Sequence, residues 1–132
     1  MIKWQESYSV GVYVLDEQHR ELFNYCNDLE KILKDREVPK DTVEQGLKFL
    51  EKYVTSHFGQ EEKCMHQYAC PMGKKNKLAH QKFIEAYKTF EKKFSQEKDH
   101  YQILRQLHDF LETWLVEHIC KIDTRLKTCV YE

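Results

Sequence analysis

His57-Phe58-Gly59-Gln60-Glu61 is the stretch on which the reading of this chain turns. Residues four apart on an α-helix stand about 40° from each other around the axis, one turn along it. Extending that spacing in both directions puts Val43, Leu47, Leu50, Val54, His57, Glu61 and Cys64 on one a/d-type stripe. A histidine and a carboxylate thus occupy places that the same helix otherwise gives to leucine and valine. A carboxylate in a core stripe needs a proton, a cation or a metal, because an unpaired buried charge is heavily penalised.

Three more amphipathic stretches surround this one. Upstream, Leu15, His19, Leu22, Cys26, Leu29 and Leu33 form a heptad stripe, with Asp16 read as its N-cap. Arg36-Glu37-Val38-Pro39-Lys40 breaks the pattern, and Asp41-Thr42-Val43-Glu44 resembles a capping box that restarts it. Downstream, the turn Tyr68-Ala69-Cys70-Pro71-Met72-Gly73 precedes a stripe of Asn76, His80, Phe83, Tyr87, Phe90 and Phe94. The last stripe carries Leu104, Leu107, Leu111, Trp114, His118 and, past a disturbance, Arg125. The expected fold is all-α: an up-down-up-down antiparallel four-helix bundle in one domain, residues 1–132. A non-helical leader spans 1–15, and the helices span approximately 17–36, 41–66, 74–94 and 100–128.

That topology places the polar intruders. His19 lies near the start of the first helix, and His57 and Glu61 near the end of the second. Asn76 and His80 open the third, while His118 and Asp123 lie toward the end of the fourth. In an antiparallel bundle these places share one end, and unrelated core histidines would have no reason to agree in height. One detail resists. His118 and Asp123 are five residues apart, 140° on a regular helix, so a π-bulge between them is needed to align them. Without it, Ile122 takes the core position.

Composition narrows the remaining classes. The chain has 132 residues, 41% hydrophobic and 33% charged, with net charge −1, a soluble globular profile. That charge makes no electrostatic case for nucleic acid or for an anionic membrane. No apolar run approaches a membrane span, and Met1-Ile2-Lys3-Trp4 does not open a signal peptide, so the cytoplasm is the expected compartment. The five cysteines form no C-x-x-C pair and do not suggest a secreted disulfide framework. Cys26 and Cys64 read as small core residues, Cys70 and Cys129 as exposed thiols.

Four histidines and two carboxylates without thiolates suit iron, zinc, manganese or copper, and carboxylates can bridge two ions. Six donors are too many for one tetrahedral zinc and fit a two-metal site. His66, nine residues after His57 and half a turn out of phase, should face away. His100 and His108 read as surface or packing residues.

The combination of Asp16-Glu17-Gln18-His19, His57-Phe58-x-x-Glu61-Glu62, Pro71 before His80-Gln81-Lys82-Phe83, and Trp114-Leu115-x-x-His118-Ile119-x-x-x-Asp123 resembles the hemerythrin family, most closely its single-domain bacterial members. A member of that family is a known four-helix bundle. The resemblance implies reversible O2 binding at a non-haem centre of two iron ions (Fe2+/Fe3+) with an oxo or hydroxo bridge. Carried over, His19 and His57 hold the O2-accepting iron, His80 and His118 hold the other, and Glu61 and Asp123 bridge them. Leu115, one turn before His118, becomes an apolar wall of the O2 pocket.

The family's further histidine, four residues before His80, is Asn76 here. Its amide oxygen can ligate weakly, a water can replace the imidazole, or the position stays open. The last two leave a more symmetric centre, more exposed to O2, NO or peroxide. The function expected is O2 carriage, storage or scavenging. The alternatives are a di-iron peroxidase, oxidase or NO-reducing enzyme with an unidentified electron donor, and an iron or O2 sensor, which the lack of an appended signalling domain weakens.

Overall fold

The computed structural model describes residues 3–34, 37–96, 98–120, 123–126 and 129. Its main elements are α1 (Tyr13–Ile32), α2 (Lys40–Tyr53), α3 (Gly59–Gln67), α4 (Gly73–Gln96) and α5 (His100–Trp114), with no strand among the described residues. A π turn at Val54–Phe58 joins α2 to α3 without leaving helical φ/ψ, so the two form one long helix. A second π turn, Leu115–Ile119, extends α5. The result is the expected all-α four-helix bundle. α1 lies against α5, α4 packs on α2, α3 and α5, and α2 also touches α5. No described helix is long and apolar enough to cross a membrane.

Burial of the apolar stripes drives the assembly. Leu22, Phe23, Leu29, Val43, Leu50, Phe83, Ile103, Leu104, Leu107 and Leu111 are almost fully buried in one cluster. Removing that apolar surface from water is the main stabilising term.

Several helix limits differ from those read in the sequence. α1 begins at Tyr13, inside the supposed leader, and its N-cap is Val12. Asp16 sits one turn into the helix, where its carboxylate accepts from the Ser9 hydroxyl at 2.6 Å and the Val10 amide at 2.8 Å. Those bonds and a left-handed Gly11 (φ 83°) fasten the leader, which itself holds a 3-10 turn at Glu6–Tyr8. α2 begins at Lys40 behind Pro39, which is its N-cap, so Asp41 lies inside the helix instead of capping it. Proline's fixed φ already pre-organises the entry. The end of α3 turns through Ala69 at φ 50°, with Cys70 N donating to Met65 O at 2.8 Å. That is a Schellman-type exit in which alanine takes a place that suits glycine.

The π turns also rewrite the stripes. After Val54–Phe58, Met65 is buried, whereas Val54 and Cys64, both expected in the core, are half-buried. At the other end Arg125 is exposed while Asp123 and Leu126 are buried. Cys70 and Cys129, expected as free exposed thiols, are joined in a disulfide. Fifty-nine residues separate them, and only the tertiary fold brings the α3–α4 turn to the C-terminal segment.

Candidate metal centre

His19, His57, Glu61, His80, His118 and Asp123 converge in the bundle interior, each at most 3% exposed. They come from α1, the first π turn, α3, α4, the second π turn and a 3-10 turn at Asp123–Arg125. Local sequence explains the first π turn. Widening the helix withdraws amide donors from carbonyls of the preceding turn, and hydroxyls take their place. Thr55 Oγ1 donates to Glu51 O at 3.0 Å, and Ser56 Oγ donates to Lys52 O at 2.7 Å. The extra residue lets both His57 and Phe58 face inward. In the second π turn Cys120 N donates to Leu115 O at 3.0 Å, five residues back. The bulge expected between His118 and Asp123 thus sits slightly upstream and includes His118, and Asp123 follows on a separate 3-10 turn. Ile122 lies outside the described residues.

The two carboxylates divide the histidines into pairs. Glu61 Oε2 is 3.0 Å from His19 Nε2 and 3.3 Å from His57 Nε2, while Glu61 Oε1 is 3.1 Å from His80 Nε2 and 4.0 Å from His118 Nε2. Asp123 repeats the arrangement, with Oδ2 at 3.3 Å from His19 Nε2 and Oδ1 at 2.9 Å from His118 Nε2. One donor set is therefore His19, His57, Glu61 and Asp123, and the other is His80, His118, Glu61 and Asp123. Both carboxylates belong to both sets, as bridging ligands must.

Hydrogen bonding alone does not account for this cluster. His19 Nε2 faces His57 Nε2 at 2.9 Å as well as two carboxylate oxygens, and one N–H cannot point at three acceptors. His118 Nε2 and Asp123 Oδ1 are close, yet among the described residues neither has a partner in hydrogen-bond geometry. Buried polar atoms left in that state are costly, and a cation between them resolves the cost. The residues present therefore fit a pair of metal ions.

The outer ring nitrogens support the same orientation. His57 Nδ1 donates to Gln18 Oε1, and Gln18 is itself held by Gln60 at 3.0 Å. His80 Nδ1 lies 3.1 Å from Glu62 Oε2. Such partners fix the tautomer and aim Nε2 inward. Aromatic rings brace the imidazoles: Phe58 stacks on His80 at 3.8 Å, Trp114 on His118 at 3.9 Å and Tyr53 on His57 at 4.7 Å. These roles of Gln18, Glu62, Phe58 and Tyr53 escaped the sequence reading. Gln18 and Glu62 stand directly beside His19 and Glu61, but nothing in their spacing reveals the cross-helix partner.

Electrostatics among the cluster's own side chains are strongly perturbed. Burial opposes a charge on His19, but contacts with Asp123 and Glu61 outweigh it and hold the imidazole up at about 10. His118 follows the same balance and stands at about 9. Burial and the neighbouring His19 push His57 down despite Glu61. Burial would raise Glu61, yet the surrounding histidines hold it well below the usual carboxylate range.

Asn76 is completely buried. Its Nδ2 donates to Glu61 Oε1 at 2.8 Å and approaches Met65 Sδ at 3.2 Å. The reverse amide orientation would set Oδ1 against a carboxylate oxygen. Among the described residues Oδ1 has no hydrogen-bond partner. His66 is exposed and His100 half-buried, while His108 is buried elsewhere on α5. Leu115 is fully buried.

A family model described as the hemerythrin HHE cation binding domain matches residues 10–130. The chain is 31% identical to the bacteriohemerythrin of Clostridium acetobutylicum over 130 residues, covering 93% of this chain and 96% of that protein. It is 27% identical to the bacteriohemerythrin of Stenotrophomonas maltophilia, covering 90% and 74%. A third relative is the myohemerythrin of Theromyzon tessulatum, 28% identical with 95% and 90% covered.

Proposed function

Because this chain belongs to the hemerythrin family, we propose that it binds O2 reversibly at a non-haem di-iron centre held by His19, His57, Glu61, His80, His118 and Asp123. The observation that carries this reading is the splitting of Glu61 and Asp123, each with one oxygen toward each histidine pair. Two ferrous ions would supply the electrons that O2 takes up on binding and returns on release. The protein's own part is to hold the donors and keep water away. Gln18 and Glu62 hold the outer imidazole nitrogens, so Nε2 is the atom offered inward. Phe58 stacks on His80 and Trp114 on His118, and with the buried Leu115 these rings would give the centre an apolar surround that slows oxidation by excluding water.

Asn76 favours a second reading. Its amide nitrogen is committed to Glu61, so the pair His80 and His118 receives no third imidazole from this position. Both halves then carry two histidines, and a less saturated centre would turn over peroxide, NO or O2 instead of returning O2 unchanged. The test is iron content with an absorption spectrum of the anaerobically reduced protein, before O2, after O2 and after O2 removal. A carrier shows two irons per chain and a visible band that disappears when O2 is withdrawn. Two irons that oxidise without a reversible band would sink the carrier in favour of turnover. One iron or none would refute the di-iron centre.

A further inference from the structure

The histidine–glutamate pair four residues apart recurs on α5, at His108 and Glu112. Ten residues before His118, His108 lies roughly 15 Å along the helix from the first cluster. Cys26 of α1 faces this pair across the α1–α5 contact, and one donor atom from each of the three lies within 4.8 Å of the others. We propose that Cys26, His108 and Glu112 form a separate site for zinc or a similar borderline divalent cation, completed by water and bridging the first and last helices of the bundle.

The donor set and its geometry carry the proposal. Thiolate, imidazole and carboxylate together suit zinc and its neighbours, and two negative donors match a divalent charge. His108 Nε2 stands 3.6 Å from Glu112 Oε2, beyond hydrogen-bond range. Nitrogen and oxygen donors on one tetrahedral zinc stand roughly 3.4 Å apart, given bond lengths of about 2.0–2.2 Å. The other ring nitrogen, Nδ1, lies 3.1 Å from Asp109 Oδ1. A carboxylate in that position fixes the tautomer that leaves Nε2 free to ligate. Cys26 is 2% exposed and His108 8%, so the donors are held by packing. His108 and Asp109 line a surface pocket of about 480 Å³ shared with Glu30 of α1 and Arg105 of α5.

Burial, with Glu112 beside it, pushes the Cys26 thiol up to about 12. The thiol is therefore protonated at neutral pH. Binding exchanges its S–H bond for a sulfur–metal bond, and the proton leaves to solvent, so affinity should rise with pH. The site lies beyond the di-iron reading and does not depend on it, since the first cluster contains no thiolate.

The test is a Co2+ titration of the iron-loaded protein, followed by absorption for the thiolate-to-cobalt charge-transfer band. Native protein should bind one cobalt with that band while retaining its iron. Cys26→Ser should lose the band, and Glu112→Gln, at a half-exposed position that the fold tolerates, should weaken cobalt binding at least tenfold. Cys120→Ser should bind as native does. Native protein without the band, a band that survives Cys26→Ser, or an unchanged affinity in Glu112→Gln would each overturn the proposal. Iron loss alone would count against the di-iron reading and not against this one.

Discussion

Metal loading of the histidine–carboxylate cluster should be strongly coupled to protons. In the metal-free protein His19 is held up at about 10 and His118 at about 9, so both imidazoles carry a proton at neutral pH. A metal must displace the proton from each Nε2 that it takes. His57, already pushed down, has none to give up. At 1.36 kcal/mol per pH unit, the displacement at pH 7 costs about 4 kcal/mol at His19 and about 3 kcal/mol at His118. Raising the pH from 6.5 to 8 removes 1.5 units of that work at each residue. The joint affinity for two ions should therefore rise about 1,000-fold, with about two protons released per pair. The assay is a chelator-competition titration with redox-silent Zn2+ at several pH values, with a pH dye in weak buffer counting protons. Cys26→Ser serves as the background, which removes the proton expected from the second site. An affinity that changes less than tenfold, or fewer than one proton per pair, would refute the coupling.

Further expectations concern individual residues. Asn76→His should restore the family's usual imidazole beside His80, improve retention of the second iron and lengthen the lifetime of the O2 adduct. An unchanged decay rate after O2 addition would count against the account of Asn76. The raised imidazoles of His19 and His118 stabilise the metal-free fold below their unfolded value near 6.5, and that contribution is lost as pH rises through 9 to 10. Thermal melts should show the metal-free protein weakening across pH 8–10 while the metal-loaded protein stays level. Ala69→Gly should stabilise by about 1 kcal/mol, because only glycine takes φ near 50° without a Cβ penalty. A lower denaturation midpoint would contradict this. Cys70→Ser opens a loop of 59 residues and should cost roughly 4 kcal/mol of unfolding free energy on chain-entropy grounds. Equal stability of the variant and the oxidised native protein in urea would rule out that contribution.

The bundle and most of its centre could be read along the chain because both follow from local periodicity. Apolar residues at helical spacing name the buried face, and His19, His57, Glu61, His80 and His118 announce themselves by interrupting it. Antiparallel order then brings their heights together. What periodicity cannot supply is anything that depends on a departure from it or on another helix. The π turns at Val54–Phe58 and Leu115–Ile119 shift the stripe by a fraction of a turn, which buries Met65 in place of Cys64 and moves the bulge onto His118. Helix entry depended on Pro39 and on Asp16 reaching back to the leader, not on capping boxes. The Cys70–Cys129 bond, the Gln18 and Glu62 partners and the Cys26–His108–Glu112 cluster each join residues far apart in sequence. Spacing along one helix holds no information about which side chain arrives from the next. That choice is made by packing, when each helix rotates to bury its own apolar face.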